Sequence, residues 1–319
     1  MKLLRHIYVW IWGILLLPAI PLQAQDPILS QFFSSPVYLN PAFAGSLDSF
    51  RATLNFRSHP LPDATNISTF HTAVDGYLPS LYGGIALTVT SDYMGNMLWD
   101  NHIGAVYAYH LQVSPDWHLH FAAQAGLFRR DLSWSRLVFY DASQAPPPGA
   151  DNWRQVPDFA SGILAFSDRI YGGVAVHHLS QPNISLLSES QYLQRKYTAH
   201  LGMYMEPGTG HRGTSHGPAY FISPNVIFQS QGPFRRVNLG LYGGIEPVMA
   251  GLWLRHSLDG QATMVFLAGI ESGRLRIGYS YDHRFSGMTD IQHGIHEISI
   301  TFLFWQRQAT SGIPRCPFF

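Results

Sequence analysis

The chain reads as an all-β protein, a transmembrane barrel of the outer membrane with about 14 antiparallel strands, and three observations lead there. Stretches of two-residue alternation between apolar and polar side chains recur along most of its length. A cleavable secretory leader opens it: Lys2, Arg5 and His6 precede an apolar run over residues 7–20, then Pro21-Leu22-Gln23-Ala24, with the cut expected between Ala24 and Gln25. After that leader no uninterrupted apolar stretch is long enough for a spanning helix, so a membrane location requires a closed barrel.

The alternation is clearest near the end of the chain. Leu275, Ile277, Tyr279 and Tyr281 alternate with Arg274, Arg276, Gly278, Ser280 and Asp282, and Ile298, Ile300, Phe302 and Phe304 alternate with Glu297, Ser299, Thr301 and Leu303. A strand sends successive side chains to opposite faces, so each stretch has one apolar face. In a barrel that face meets lipid and the polar face lines the lumen; in a soluble β-sandwich, the competing architecture, the apolar faces meet each other. Candidate strands are 49–57, 67–75, 82–90, 102–111, 118–128, 159–167, 172–179, 197–206, 219–229, 237–245, 249–257, 262–270, 274–282 and 292–304. Their even number returns the C-terminus to the side of the N-terminus, expected to be periplasmic. Long external connections are then 58–66, 91–101, 129–158 and 180–196, against short ones such as 112–117 and 168–171; the connection 207–218 breaks this pattern.

Composition agrees with much surface in lipid. Charged residues are only 13% of the 319, roughly half the usual share of a soluble domain. Lys and Arg number 20 against 20 Asp and Glu, which provides no electrostatic footprint for nucleic acid. The single cysteine, Cys316, excludes an internal disulfide and any multi-cysteine metal site. The expected organisation is a leader at 1–24, an aromatic and proline-rich segment at 25–48, the barrel at 49–304, and a periplasmic tail at 305–319.

In the N-terminal segment, prolines 27, 36 and 41 fall among turn-forming Ser, Asn and Gly, so no strand is expected before Ser49. Its many apolar side chains argue that it packs as a plug within the barrel or binds at the periplasmic mouth. The strings Ser30-Gln31-Phe32-Phe33 and Asn40-Pro41-Ala42-Phe43-Ala44-Gly45 resemble the opening of the PorP/SprF family of outer-membrane proteins in Bacteroidetes, which are associated with type IX secretion and gliding motility. Arg57 with His59-Pro60, Asp75-Gly76-Tyr77, Gly278-Tyr279-Ser280-Tyr281-Asp282, Gly294-Ile295-His296-Glu297-Ile298 and Pro314-Arg315-Cys316-Pro317 extend the resemblance over nearly all of 25–319. Arg57-Ser58-His59-Pro60 departs from it, because Gln-Trp is expected after the arginine and the polar residue.

The resemblance implies type IX secretion components, a secreted surface adhesin, or both as partners, beside outer-membrane lipid. Export or anchoring of a large adhesin is the preferred role; a core machinery barrel joined to periplasmic components, or a passive porin, are the alternatives. Candidate partner or structural residues are Phe32, Phe33, Tyr38, Asn40, Pro41, Phe43 and Gly45 in the N-terminal segment, and Trp134, Phe139 and Tyr140 in the connection 129–158.

Arg274, Arg276 and Asp282, with Arg255 and Glu246 from neighbouring strands, are expected in a lumen network, since an arginine facing lipid at the midplane costs ~2–4 kcal/mol. No catalytic activity and no cofactor are expected. Gly213-Thr214-Ser215-His216-Gly217 matches a nucleophile elbow in letters only, because no strand-to-helix turn surrounds it. A barrel lipid hydrolase using Ser215 with His216 or His211 is the enzymatic alternative. His177-His178, and His293 with His296, are spaced to face opposite sides of a strand, which argues against shared metal ligation.

Overall fold

The computed structural model describes residues 26–47, 49–61, 66–95, 97–137, 152–186, 190–206, 220–258, 260–285, 294–305 and 316. Fourteen antiparallel strands close on themselves in sequence order. They are β1 (Phe50–Pro60), β2 (Asn66–Leu78), β3 (Gly83–Met94), β4 (Leu98–Gln112), β5 (His118–Leu132), β6 (Trp153–Phe166) and β7 (Ile170–His177). The second half comprises β8 (Lys196–Met203), β9 (Tyr220–Gln231), β10 (Phe234–Ile245), β11 (Val248–Ser257), β12 (Ala262–Ser272), β13 (Leu275–Phe285) and β14 (Ile295–Phe304). Pairing of β1 with β14, from Phe50 opposite Phe304 to Ser58 opposite His296, completes the closure. Every strand then has a neighbour on both sides, as a bilayer demands of backbone N–H and C=O groups.

The rim where β1 begins and β14 ends is called here the near rim; the opposite one is the far rim. The wall is taller on one side: β4 and β5 have 15 residues each and β6 has 14, whereas β7 and β8 have eight each. A tilted spanning strand needs about 9–11 residues, so β4–β6 are longer than a crossing requires. This corrects two expected loops. Residues 91–101 are mostly strand, with Met94 opposite Leu98 and a tight turn in which Gly95 takes a positive φ of 59°. The excursion expected over 129–158 is shorter, because β5 continues to Leu132 and β6 already starts at Trp153.

Leu54, Leu87, Ile103, Leu127, Leu239, Leu254, Ile277 and Ile300 point outward and form the lipid face. Exposed aromatics flank it, with Tyr82, Trp117 and Trp305 towards the near rim and Trp153 and Phe285 towards the far rim. The inner face is mixed rather than wholly polar. Trp253, Tyr242, Tyr171, Phe166, Leu164 and Val265 are buried there in one apolar cluster with Phe32, Phe33, Val37, Leu39, Ala42 and Phe43.

That cluster exists because the N-terminal segment lies inside the lumen. Its regular parts are short, a four-residue helix α1 (Pro36–Leu39) and a single 3-10 turn (Pro41–Phe43), each begun by a proline whose missing N–H is no loss at a helix start. The chain runs from Asp26 in the far half of the lumen towards the near rim, where it enters β1. Cys316 is buried beside this exit and donates its backbone N–H to the Ser46 carbonyl at 3.3 Å, which places this residue at the near rim.

Candidate functional site

The site is the seat of the lumenal segment, and its near half is built by packing. Phe32 lies against Trp253 and Phe33 meets Tyr242 edge-on, each with centroids 5.0 Å apart, while Phe43 stacks on His200 at 5.2 Å. Asn40 joins the segment to the wall. Its side-chain oxygen accepts the Ala42 N–H at 2.9 Å, capping the 3-10 turn, and its amide nitrogen donates to the carbonyls of Ile163 (3.0 Å) and Val174 (3.3 Å) on β6 and β7.

Wall glycines make that approach possible. A Cβ at Gly162 would stand 2.0 Å from the Asn40 Oδ1, and one at Gly84 only 1.9 Å from the Ala44 carbonyl oxygen. Gly45 ends the segment with a φ of +66°, and its N–H donates at 3.0 Å to Asp75, which a bidentate Arg51 holds at 2.8 and 3.0 Å.

The other half is held by charge. Glu297 on β14 accepts the backbone N–H groups of Ser30 (2.6 Å) and Gln31 (3.2 Å). Arg57 on β1 spans Glu297 (3.3 Å) and Asp282 on β13 (2.9 Å), and Arg255 on β11 reaches Asp282 at 3.1 Å. The Ser30 hydroxyl sits at the centre: it donates to Asp282 at 2.7 Å and accepts from Arg57 (2.6 Å) and Arg255 (3.0 Å). Two guanidinium groups balance two carboxylates, which makes burial of all four charges tolerable.

Asp26 forms a second ionic anchor. It accepts from Lys196 Nζ at 2.9 Å, from His178 Nε2 at 2.9 Å and from Gln231 Nε2 at 3.1 Å. His178 Nδ1 meets Asp158 at 2.8 Å, so both ring nitrogens face carboxylates and both must carry protons. Burial opposes the charge on this ring, but the Asp26 carboxylate and the hydrogen bonds to Asp158 and Asp26 push its pKa up to about 9. Burial would likewise raise the Asp26 carboxyl, yet His178 and Lys196 outweigh it and hold the group well below the usual carboxylate range.

The family model for the type IX secretion system membrane protein PorP/SprF matches residues 22–302 of this chain. The chain belongs to the PorP/SprF family. It is therefore a type IX secretion-associated outer-membrane barrel, in a family without catalytic activity. A search of curated proteins finds no match. Among solved structures the CymD monoaromatic hydrocarbon channel is similar at 10% identity and a TM-score of 0.48, over 89% of this chain and 95% of that one. The Pseudomonas putida toluene transporter TodX is similar at 8% identity and a TM-score of 0.46 (88% and 94%), and the KdgM porin at 5% and 0.35 (79% and 99%).

The PorP/SprF signature residues of the N-terminal segment meet in this seat: Phe32, Phe33, Asn40, Pro41, Phe43 and Gly45 are all buried in it. Tyr38 lies inside too, donating its hydroxyl to the Pro27 carbonyl at 2.6 Å, with Lys196 Nζ 4.5 Å from its ring centre. Trp134 stands in a 3-10 turn beyond β5, while Phe139 and Tyr140 lie outside the described residues, as do Ser215, His211, His216 and His293.

Of the expected lumen network, Arg255 and Asp282 are at its centre. Arg276 is half-buried and pairs with Glu271 at 2.7 Å. Glu246 and Arg274 are not in it. Both fall in exposed near-rim turns, because β10 ends at Ile245 and β13 starts at Leu275, and a side chain beyond the last paired residue escapes the alternation. Arg57 and Glu297 take their places; the signal was present in the polar face of the last strand, where Glu297 is the one acid. The expectation that His177 and His178 face opposite sides also fails. His178 follows the end of β7 with a φ of +57°, which turns its ring back into the lumen beside His177.

Proposed function

We propose that this barrel is the outer-membrane partner through which a large surface adhesin is exported or anchored, with the near rim and both chain termini facing the periplasm. The observation that supports this reading is the filled lumen. A passive porin needs a continuous polar passage, whereas here residues 29–46 are almost all buried against the wall and joined to it by charge, capping and aromatic contacts. A barrel whose lumen is occupied by its own chain acts through its surfaces. The tall β4–β6 wall provides one at the far rim, where Arg129 lies over the exposed Trp153 ring at 4.8 Å.

The test is photocrosslinking in the native outer membrane. Benzoylphenylalanine replaces Trp153 at the far rim and, in a separate strain, Tyr82 at the near rim, where the side chain is 71% exposed. A secreted adhesin captured at position 153 supports the anchoring role. Capture of a periplasmic secretion component at position 82, with nothing at 153, supports a core machinery role instead. Loss of both products from a correctly inserted barrel rejects the two together.

A further inference from the structure

Between the Asp26 end of the lumenal segment and the far rim lies a chamber of about 60 Å³. Its carboxylates are not all matched. Asp92 on β3 is 4% exposed, and its one side-chain hydrogen bond among the described residues comes from the Thr69 hydroxyl, at 2.5 Å. Directly across the β3–β4 ladder stands Asp100, a like charge. Arg130 neutralises Asp100 through two bonds of 2.7 and 2.6 Å. Lys196, His178 and His102 are taken by Asp26 and Asp158. Asp92 is therefore a buried carboxyl with no cation, an arrangement that is costly unless a cation supplies the charge or the group takes up a proton.

A second observation points to what is missing. His71 on β2 is 1% exposed and lines the same chamber; its Nδ1 meets the Thr90 hydroxyl at 2.9 Å, while its Nε2 has no partner. Thr69 pairs with Asp92 and His71 with Thr90, so His71 and Asp92 are diagonal neighbours on the lumenal face. Asp158 Oδ1, also on the chamber wall and equally buried, is unpartnered as well. Each of these atoms can accept a hydrogen bond. The rest of the lining includes Val37, Phe128 and Leu193, which suits a carbon stem.

We propose that the chamber binds a small primary ammonium ion on a short carbon stem. The N–H donors of one cationic centre match Asp92 and its diagonal neighbour, the free His71 nitrogen, while the stem lies on the apolar wall. Since a cavity needs roughly 10–15 Å³ to hold a single water, about 60 Å³ admits only a few heavy atoms. A bare metal ion fits less well, because no group of three His, Cys, Asp or Glu side chains among the described residues is placed to ligate one. Water could satisfy the free acceptors and a proton could neutralise Asp92, but neither uses the apolar part of the lining.

The test uses the purified full-length barrel in detergent at pH 7. Its thermal unfolding and its calorimetric binding isotherm are followed with n-propylammonium chloride, against tetramethylammonium chloride and sodium chloride at equal ionic strength. The expected result is a saturable rise in Tm and a binding isotherm with n-propylammonium alone, since tetramethylammonium has no N–H to donate. In Asp92→Asn, which keeps the shape and removes the charge, binding weakens by at least about tenfold, the loss expected with one charge-assisted hydrogen bond. If the variant does not fold, the wild-type comparison of the three salts decides. A response equal to that of sodium chloride, or an unchanged isotherm in Asp92→Asn, overturns the proposal.

Discussion

Residues 32–45 and residues 26–31 belong to one lumenal segment but meet the wall through different physics. The first stretch is mostly apolar, fitted between aromatic side chains and against glycines that leave no room for a Cβ. The second has few apolar contacts of that kind and is fixed by Glu297, Asp282, Arg57, Arg255, Lys196 and His178. Apolar burial is non-directional and stabilises by area, about 1.5–3 kcal/mol for a fully buried Phe. Ion pairs taken out of water contribute less net energy, because desolvation offsets their attraction, but they specify where each atom must lie. The near half is therefore held mainly by buried apolar area and the far half mainly by directed polar contacts.

Removing the segment should have the largest effect. Deletion of residues 26–47 takes away both halves at once, and the remaining barrel should pass ions steadily in a planar bilayer where the intact protein does not. If a folded deletion protein is as silent as the intact one, the segment is not what closes the lumen. Next comes Glu297→Ala, which leaves Arg57 underpaired and two backbone N–H groups without an acceptor. Loss of one partner of a buried pair predicts destabilisation of ~3–5 kcal/mol by denaturant titration in detergent. A change no larger than that of an exposed substitution would show that the far half contributes neither stability nor position.

Asn40→Ala sharpens the contrast inside the near half. It leaves the Ile163 and Val174 carbonyls without that donor and the 3-10 turn without its cap, at an expected ~1–3 kcal/mol in the same titration. The pH dependence of the Asp26 anchor tests the far half separately. His178 has its folded pKa raised from 6.5 to about 9, so its contribution is fully present below 6.5 and is lost as pH rises through 9. Asp26 is shifted the other way from 3.8, so its contribution is present above 3.8 and is lost as pH falls through its lower folded value. Stability should accordingly decline between pH 6.5 and 9, and the decline should be shallower in His178→Gln. An equal decline in both proteins would place its cause elsewhere.

Most of the barrel wall was open to reading from the residues alone. All fourteen strands lie where the alternation puts them, with ends displaced by a few residues, because the two-residue period follows from local backbone geometry and needs no distant partner. The same alternation placed Arg255, Arg276 and Asp282 on the lumenal side. It failed at Glu246 and Arg274, one residue past strand ends, and at His178, where a left-handed backbone reverses the direction of the side chain. The lumenal position of residues 26–47, one of two readings the sequence left open, was decided only by the tertiary structure. Ser30 and Glu297 are 267 residues apart in the chain, and nothing local to either names the other as its partner. Periodicity determines which way a side chain points; what it meets there depends on which distant segments the closed barrel brings together.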